Sequence, residues 1–174
     1  MVKFEKVPYE VYKDAVLKTT HGIEFKDESS VREEYESIKL PKRGTHGSAG
    51  YDFFAPYDFY LRDAPNSDFR DDVVIPTGIR LVTDRDDIAL ICVPRSGQGF
   101  KYGVSLLNTV GVIDSDYQFS DNYGHIMCKM QSKYDCNVEK GKGFMQGIIV
   151  PFIKTDDDHT TEERNGGFGS TDSK

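Results

Sequence analysis

The chain has 174 residues and a formal net charge of −7, a length that suits one domain and leaves a second independent core cramped. Apolar residues make up 37% before 16 glycines are added, close to ordinary globular usage, which excludes wholesale disorder. The acidic balance excludes non-specific nucleic-acid binding, which needs a basic face. A small polyphosphate remains within reach if a metal ion travels with it and a few arginines are focused at the site.

In chain order, residues 2–7 read as a first strand. The charges in Met1–Lys6 stand where a signal peptide needs an apolar run, and no stretch of 18 apolar residues occurs. The expected address is therefore cytoplasmic, without a membrane span. Residues 8–38 are charged, with apolar side chains at helical spacing: Tyr9, Tyr12 and Val16 on one face, Val31, Tyr35 and Ile38 on another. This spacing predicts two short helices, the second opened by a capping box at Ser30 and Glu33. The segment reads as an insertion that either packs on the exterior or meets an unknown protein partner; its residues do not decide between these.

From residue 51 onward the pattern changes to short apolar runs broken by Gly, Pro, Asn and Asp. Strands are predicted at 51–54, 73–75, 78–82, 88–93, 104–106, 110–113, 125–130 and 147–153, a spacing that suggests a β-sandwich or barrel. The acidic runs 84–87 and 156–158 read as solvated turns and not metal ligands, because successive loop carboxylates point different ways. Cys92, Cys128 and Cys136 form no CxxC pair; Cys92 and Cys128 sit in apolar runs, where a reduced buried thiol is the ordinary outcome.

Three segments carry chemistry-bearing residues. Pro94-Arg95-Ser96-Gly97 ends an apolar strand. There Arg and Ser offer anion contacts and Gly lets backbone approach a ligand, although an ordinary β-turn accounts for the same residues. Asn108 to Tyr117 reads as a hairpin whose apolar return strand ends in Asp114, an acid either satisfied by structure or poised for chemistry. Arg164 followed by a Gly-rich, hydroxyl-rich tail can wrap phosphate oxygens, or can be a plain terminus.

Together with Ala49–Pro56 and residues 141–148, these segments are similar to the five ordered motifs of the homotrimeric dUTP pyrophosphatase (dUTPase) family, over about residues 40–171. The resemblance implies an all-β, distorted jelly-roll barrel or sandwich, here one domain over 1–174. A helical insertion occupies 8–38, and 162–174 form a flexible C-terminal arm that closes over the site. It implies hydrolysis of dUTP to dUMP and pyrophosphate by Mg2+-assisted attack of water on the α-phosphate, which lowers dUTP and supplies dUMP for thymidylate synthesis. Asp114 is then the residue that orients and deprotonates the water. The hairpin at Asn108, Gly111, Val112 and Ile113 holds uracil, and Tyr117 packs on the deoxyribose. Arg95, Ser96, Gly97 and Gln146 reach the phosphates, while Asp52 acts through Arg95 or the waters of the ion, with no direct protein bond to Mg2+. Arm residues Arg164, Phe168, Gly169, Ser170 and Thr171 stack on the base and clamp the γ-phosphate, each site being shared between subunits.

The chain departs from the family pattern in three places. Only three residues separate Arg164 from Phe168 where four are usual, Gly143 stands where an arginine is usual, and residues 118–123 intervene before Gly124. His125 after that loop reads as packed or solvent-facing, not catalytic. A dCTP deaminase-related enzyme is the neighbouring alternative, but its chemistry needs a glutamate where Lys129 stands. A non-catalytic regulatory nucleotide-binding protein is the other, and the retention of Asp114, Tyr117, Ser96 and Phe168 speaks against it.

Overall fold

A computed structural model describes residues 1–19, 27–62, 73–162, 164 and 166. Strand β1 (Val2–Lys6) pairs antiparallel with β6 (Ile79–Thr83), Val2 opposite Thr83 and Lys6 opposite Ile79. In β6 the residues alternate between buried Ile79, Leu81, Thr83 and half-exposed Arg80, Val82, the period-two signature of a strand with one face on the core.

Between β1 and the rest of the sheets lie helices α1 (Tyr9–Thr19) and α2 (Glu28–Ser37). Tyr12 and Val16 of α1 are fully buried against the body, as is Val31 of α2. Arg32 lies 3.8 Å from the Tyr9 ring centroid, and the Tyr35 hydroxyl donates to the Val7 carbonyl at 2.8 Å. The predicted capping box is corrected by the structure. The N-cap is Asp27, whose carboxylate accepts from the Ser30 N–H at 2.8 Å and the Ser30 hydroxyl at 2.6 Å. Ser30 therefore lies inside the first turn, because a carboxylate three residues upstream satisfies the orphan donors first.

One antiparallel sheet runs in the order β2 (Lys42–Arg43), β3 (Tyr51–Phe54), β12 (Gly143–Pro151), β7 (Ile88–Pro94), β9 (Gly111–Asp114). A second joins β5 (Val73–Pro76), β10 (Met127–Gln131) and β8 (Ser105–Leu106), and β4 (Phe59–Leu61) pairs with β11 (Cys136–Val138). One buried cluster spans all of this, with Phe53, Leu61, Ile75, Leu90, Met130, Phe144 and Met145 at its centre and Tyr12, Val16 and Val31 of the helices attached. The architecture is mostly β, as expected. Strand β12 starts at Gly143 where residue 147 was predicted, and ends before Ile153, which is 97% exposed. The three cysteines are buried and free, burial pushing the Cys92 thiol up to about 12.

Each acidic turn is tied by ordinary partners: Asp84 to the N-terminal amine, Arg85 to Asp87, Asp86 to Lys154, and Asp158 to the Thr160 N–H. Among the described residues no helix is long and apolar enough to cross a membrane.

Candidate active site

The Pro94–Gly97 segment is a strand end passing directly into helix α3 (Ser96–Tyr102), with Arg95 as N-cap, instead of a simple turn. Ser96 and Gly97 thus occupy a first helical turn, whose N–H groups have no intrahelical acceptor, and both are exposed. The Arg95 side chain turns back over the sheet. Its Nε lies 3.4 Å from Asp52 Oδ1, and its Nη1 donates to the Gly143 carbonyl at 3.3 Å. Gln146 Nε2 donates to the same Asp52 oxygen at 2.9 Å. Residues Asp52 and Gln146 are directly opposed across β3 and β12, so sheet register assembles this cluster. A Cβ at Gly143 would sit 2.9 Å from Arg95 Nη1. The missing side chain at 143 is the space in which Arg95 lies.

A second cluster forms along β9. The predicted hairpin is corrected by the structure: β8 pairs with β10 and β9 with β7, in different sheets and not with each other, and the chain between them turns at Thr109, which has φ +68 and whose N–H donates to the Leu106 carbonyl at 3.0 Å. Asn108 is exposed at the tip. Among the described residues no strand pairs with the outer edge of β9, which leaves main-chain N–H and C=O groups available to a ligand. Ile113 turns its side chain into the core and Val112 outward, so at the open strand edge Ile113 offers a ligand its backbone. Behind this turn is a mainly apolar cavity of about 440 Å³, lined in part by Leu106, Asn108, Gly111, Ile113, Cys128 and Met145.

Asp114 ends β9 with its side chain 50% exposed, and the 3-10 turn Ser115–Phe119 follows. Tyr117 in that turn is buried, its hydroxyl donating to the His125 carbonyl at 3.3 Å and accepting from Asn122 Nδ2 at 2.9 Å. Burial raises its pKa, which the Asn122 hydrogen bond and the Arg164 charge partly offset. Arg164 arrives from the C-terminal side. Its Nη2 donates to Asp114 Oδ2 at 2.5 Å and its Nε to Asp116 Oδ1 at 2.8 Å, with the guanidinium carbon 5.7 Å from the Tyr117 ring centroid. Burial opposes the charge, yet the Asp116 hydrogen bond and the charges of Asp116 and Asp114 hold the Arg164 pKa above its ordinary value.

The loop 118–123 is a folded element. The Gln118 amide donates to the Thr83 carbonyl at 2.7 Å, and the Ser120 hydroxyl donates to Asn122 Oδ1 at 2.6 Å. His125 behind it is 1% exposed and accepts from the Gly78 N–H through Nε2 at 2.9 Å, so of the two expected placements, packed or solvent-facing, it takes the packed one.

Within one chain, then, the phosphate-type cluster (Arg95, Ser96, Gly97, Asp52, Gln146) and the carboxylate cluster (Asp114, Tyr117, Arg164) are separate. Asp114 is opposite Ala89 at the start of β7, whereas Arg95 follows its end, six residues further, or about 20 Å at the rise of a strand. Phe168, Gly169, Ser170 and Thr171 lie outside the described residues. Two participants escaped sequence reasoning. Asp116 carries a signal in sequence only as a second acid two residues from Asp114, a natural seat for a guanidinium fork, and Gly143, which stands where an arginine is usual, makes room for Arg95.

The family model for dUTPase matches residues 36–172. The chain is 39% identical over 146 residues to the deoxyuridine 5'-triphosphate nucleotidohydrolase of Lactococcus lactis subsp. lactis, covering 77% of this chain and 88% of that protein. It is 37% identical over 146 residues to the enzyme of the same name from Hydrogenovibrio crunogenus, covering 79% and 90%. Among solved structures, the dUTPase from Streptococcus mutans superposes with a TM-score of 0.61 at 27% identity, covering 88% of this chain and 98% of that one. A mutant dUTPase from phage phi11 of S. aureus, described as coordinating a structural Mg(II) ion, matches in fold with a TM-score of 0.57 at 17% identity, covering 73% and 92%.

Proposed function

The chain belongs to the dUTPase family, and from that premise we propose that it hydrolyses dUTP to dUMP and pyrophosphate. The observation that carries the reading is Asp114, a half-exposed carboxylate at the end of an edge strand, with the open edge of β9 on one side of it and Tyr117 on the other. Asp114 orients a water and accepts its proton as the water oxygen bonds to the α-phosphorus. The bond from that phosphorus to the bridging oxygen breaks, and pyrophosphate leaves with the oxygen and the electron pair.

The exposed edge of β9 is suited to read the uracil edge through the backbone of Gly111, Val112 and Ile113, with the Asn108 amide at the tip. Tyr117 offers one face to the deoxyribose, where a 2′-hydroxyl would clash. Arg95, Ser96, Gly97 and Gln146 receive the phosphates. The C-terminal arm, 162–174, closes over the site within a single domain, bringing Phe168 to the base and Arg164, Gly169, Ser170 and Thr171 to the terminal phosphate.

Magnesium suits the hard oxygen chemistry of a triphosphate, whose phosphate oxygens are ready ligands. The ion is therefore assigned to substrate phosphates and waters, with Asp52 the carboxylate available to those waters. When bound it supplies charge neutralisation on the phosphates.

The 20 Å along β7 between the two clusters supports a shared site. Since one chain separates Asp114 from Arg95 and Ser96, a second copy has to bring its own phosphate cluster up to Asp114. A homotrimer satisfies this for every site at once through one repeated interface. Cytoplasmic placement is part of the same reading.

The test is product analysis. Purified protein with Mg2+ and dUTP is expected to yield dUMP and pyrophosphate in equal amounts, with little turnover of UTP, dTTP or dCTP and a strong loss of rate on chelation. Absence of dUMP from dUTP overturns the proposal.

A further inference from the structure

We propose that Lys42 is a further phosphate-binding residue, whose ammonium receives the pyrophosphate end of the substrate beside the cluster of Arg95, Asp52 and Gln146. The inference rests on the function proposed above and adds a residue to the same site.

Sheet register places Lys42 there. Lys42 is directly opposite Asp52 across β2 and β3, and Asp52 is directly opposite Gln146 across β3 and β12. Opposed residues of an antiparallel pair project from the same face, so the three side chains stand in one row. That row is on the outer face of the sheet, because the neighbouring Phe53 turns its ring into the core at 1% exposure. Strands about 4.8 Å apart put the Lys42 backbone about 10 Å from that of Gln146, a gap that an extended lysine and a triphosphate bridge between them. Arg43 does not share this position. It is opposite Tyr51, and its Nη1 donates to the His46 and Ser48 carbonyls at 2.9 and 3.3 Å.

Charge explains why a further cation matters. Arg95 Nε lies 3.4 Å from Asp52 Oδ1, and Gln146 donates to that same oxygen at 2.9 Å. The guanidinium and the carboxylate offset one another and the amide is neutral. These three residues therefore hold no net charge against a triphosphate, in a chain whose formal charge is −7. Lys42 is exposed, and among the described residues no carboxylate is paired with its ammonium. Its charge makes the row positive. Strand β2 is the outermost of its sheet, so Lys42 closes the row on the side away from Arg95. A compact charge on a flexible stem also suits a group that departs as pyrophosphate, since the ammonium can move with it.

The test is calorimetric titration of the full-length protein, with Mg2+ present, by a non-hydrolysable dUTP analogue and by dUMP, beside steady-state kinetics on dUTP. Lys42→Met keeps the stem and removes the charge. One charge-assisted contact in a partly exposed site corresponds to about a three- to thirtyfold change in affinity. Lys42→Met is expected to weaken the analogue and to raise KM for dUTP by that factor, with dUMP affinity moved less than about twofold, because dUMP lacks the two phosphates in question. The gap between wild type and variant is expected to narrow as salt rises, and Lys42→Arg is expected to restore most of the affinity. Unchanged analogue affinity overturns the assignment. So does an equal loss for dUMP, which marks a residue that only shapes the site, or a Lys42→Arg protein as weak as Lys42→Met. A wild type that leaves dUTP intact overturns the proposed function instead, and the analogue titration still decides the role of Lys42.

Discussion

Residue 125 offers a sharp test of how the fold responds to acid. His125 is fully buried and its Nε2 accepts the Gly78 N–H at 2.9 Å, so the neutral ring carries its proton on Nδ1. Burial pulls the imidazole down from 6.5 to about 4. A depressed folded-state pKa means that the unfolded chain binds this proton more readily. The contribution is therefore complete above pH 6.5 and is lost progressively as pH falls from 6.5 toward 4. At about 1.4 kcal/mol per pH unit, that interval corresponds to about 3 kcal/mol, most of it already lost at pH 4.5. His125→Gln supplies a side-chain carbonyl for the Gly78 N–H but has no proton to gain. Urea unfolding at fixed protein concentration, followed by circular dichroism at pH 7.5 and 4.5, should show the wild type losing about 2 to 3 kcal/mol more than the variant. Carboxylate contributions are common to both proteins and cancel. Equal losses in the two proteins would refute the buried-neutral account.

Asp114→Asn keeps the shape of the side chain and removes its basicity, so kcat is expected to fall about a hundred- to ten-thousandfold with affinity for a non-hydrolysable dUTP analogue nearly unchanged; isothermal titration beside turnover measures both. A chain ending at Glu163 is expected to assemble normally by size-exclusion chromatography while losing most of its hydrolysis. Gly143→Ala places a Cβ 2.9 Å from Arg95 Nη1, and the displaced guanidinium is expected to raise KM for dUTP about two- to tenfold, read by initial rates across substrate concentration.

What was legible in the sequence was what periodicity and turn chemistry encode. The runs that became β3, β5, β6, β7 and β9 are bounded by Gly, Pro or Asp, and their apolar residues leave few alternatives to a strand. The buried faces of α1 and α2 followed from 3.6-residue spacing. Strands β2, β4 and β11 were not legible, because two or three residues carry no measurable period and are strands only through partners far along the chain, such as Cys136 opposite Leu61. Motif order singles out Asp114, Arg95 and Gln146 as candidates. It could not reveal that Ala89 opposes Asp114, and so it hid the 20 Å along β7 that separates Asp114 from Arg95. Nor could it reveal Asp116 as the seat of Arg164, since that pairing spans 48 positions.

The helical insertion and the extra loop were two unrelated departures in the sequence, yet in the fold they meet at one place. A groove is lined by Val11, Leu17 and Lys18 of α1 on one side and by Asp121, Asn122 and Tyr123 of the loop on the other, with His125 at its base. The Tyr12 ring lies 6.3 Å from the imidazole, and Gly78, at φ +71, passes between helix and loop where a Cβ would press on Ile38 and Tyr12. The Gly78 N–H is the donor that His125 accepts, so the same short peptide segment holds the helices on one side and the loop on the other. Through Asn122, which reaches both the Tyr117 hydroxyl and the His125 carbonyl, this junction continues to the turn that carries Tyr117 and Asp116. Acid that charges His125 therefore acts on the support beneath the turn that carries Tyr117 and Asp116.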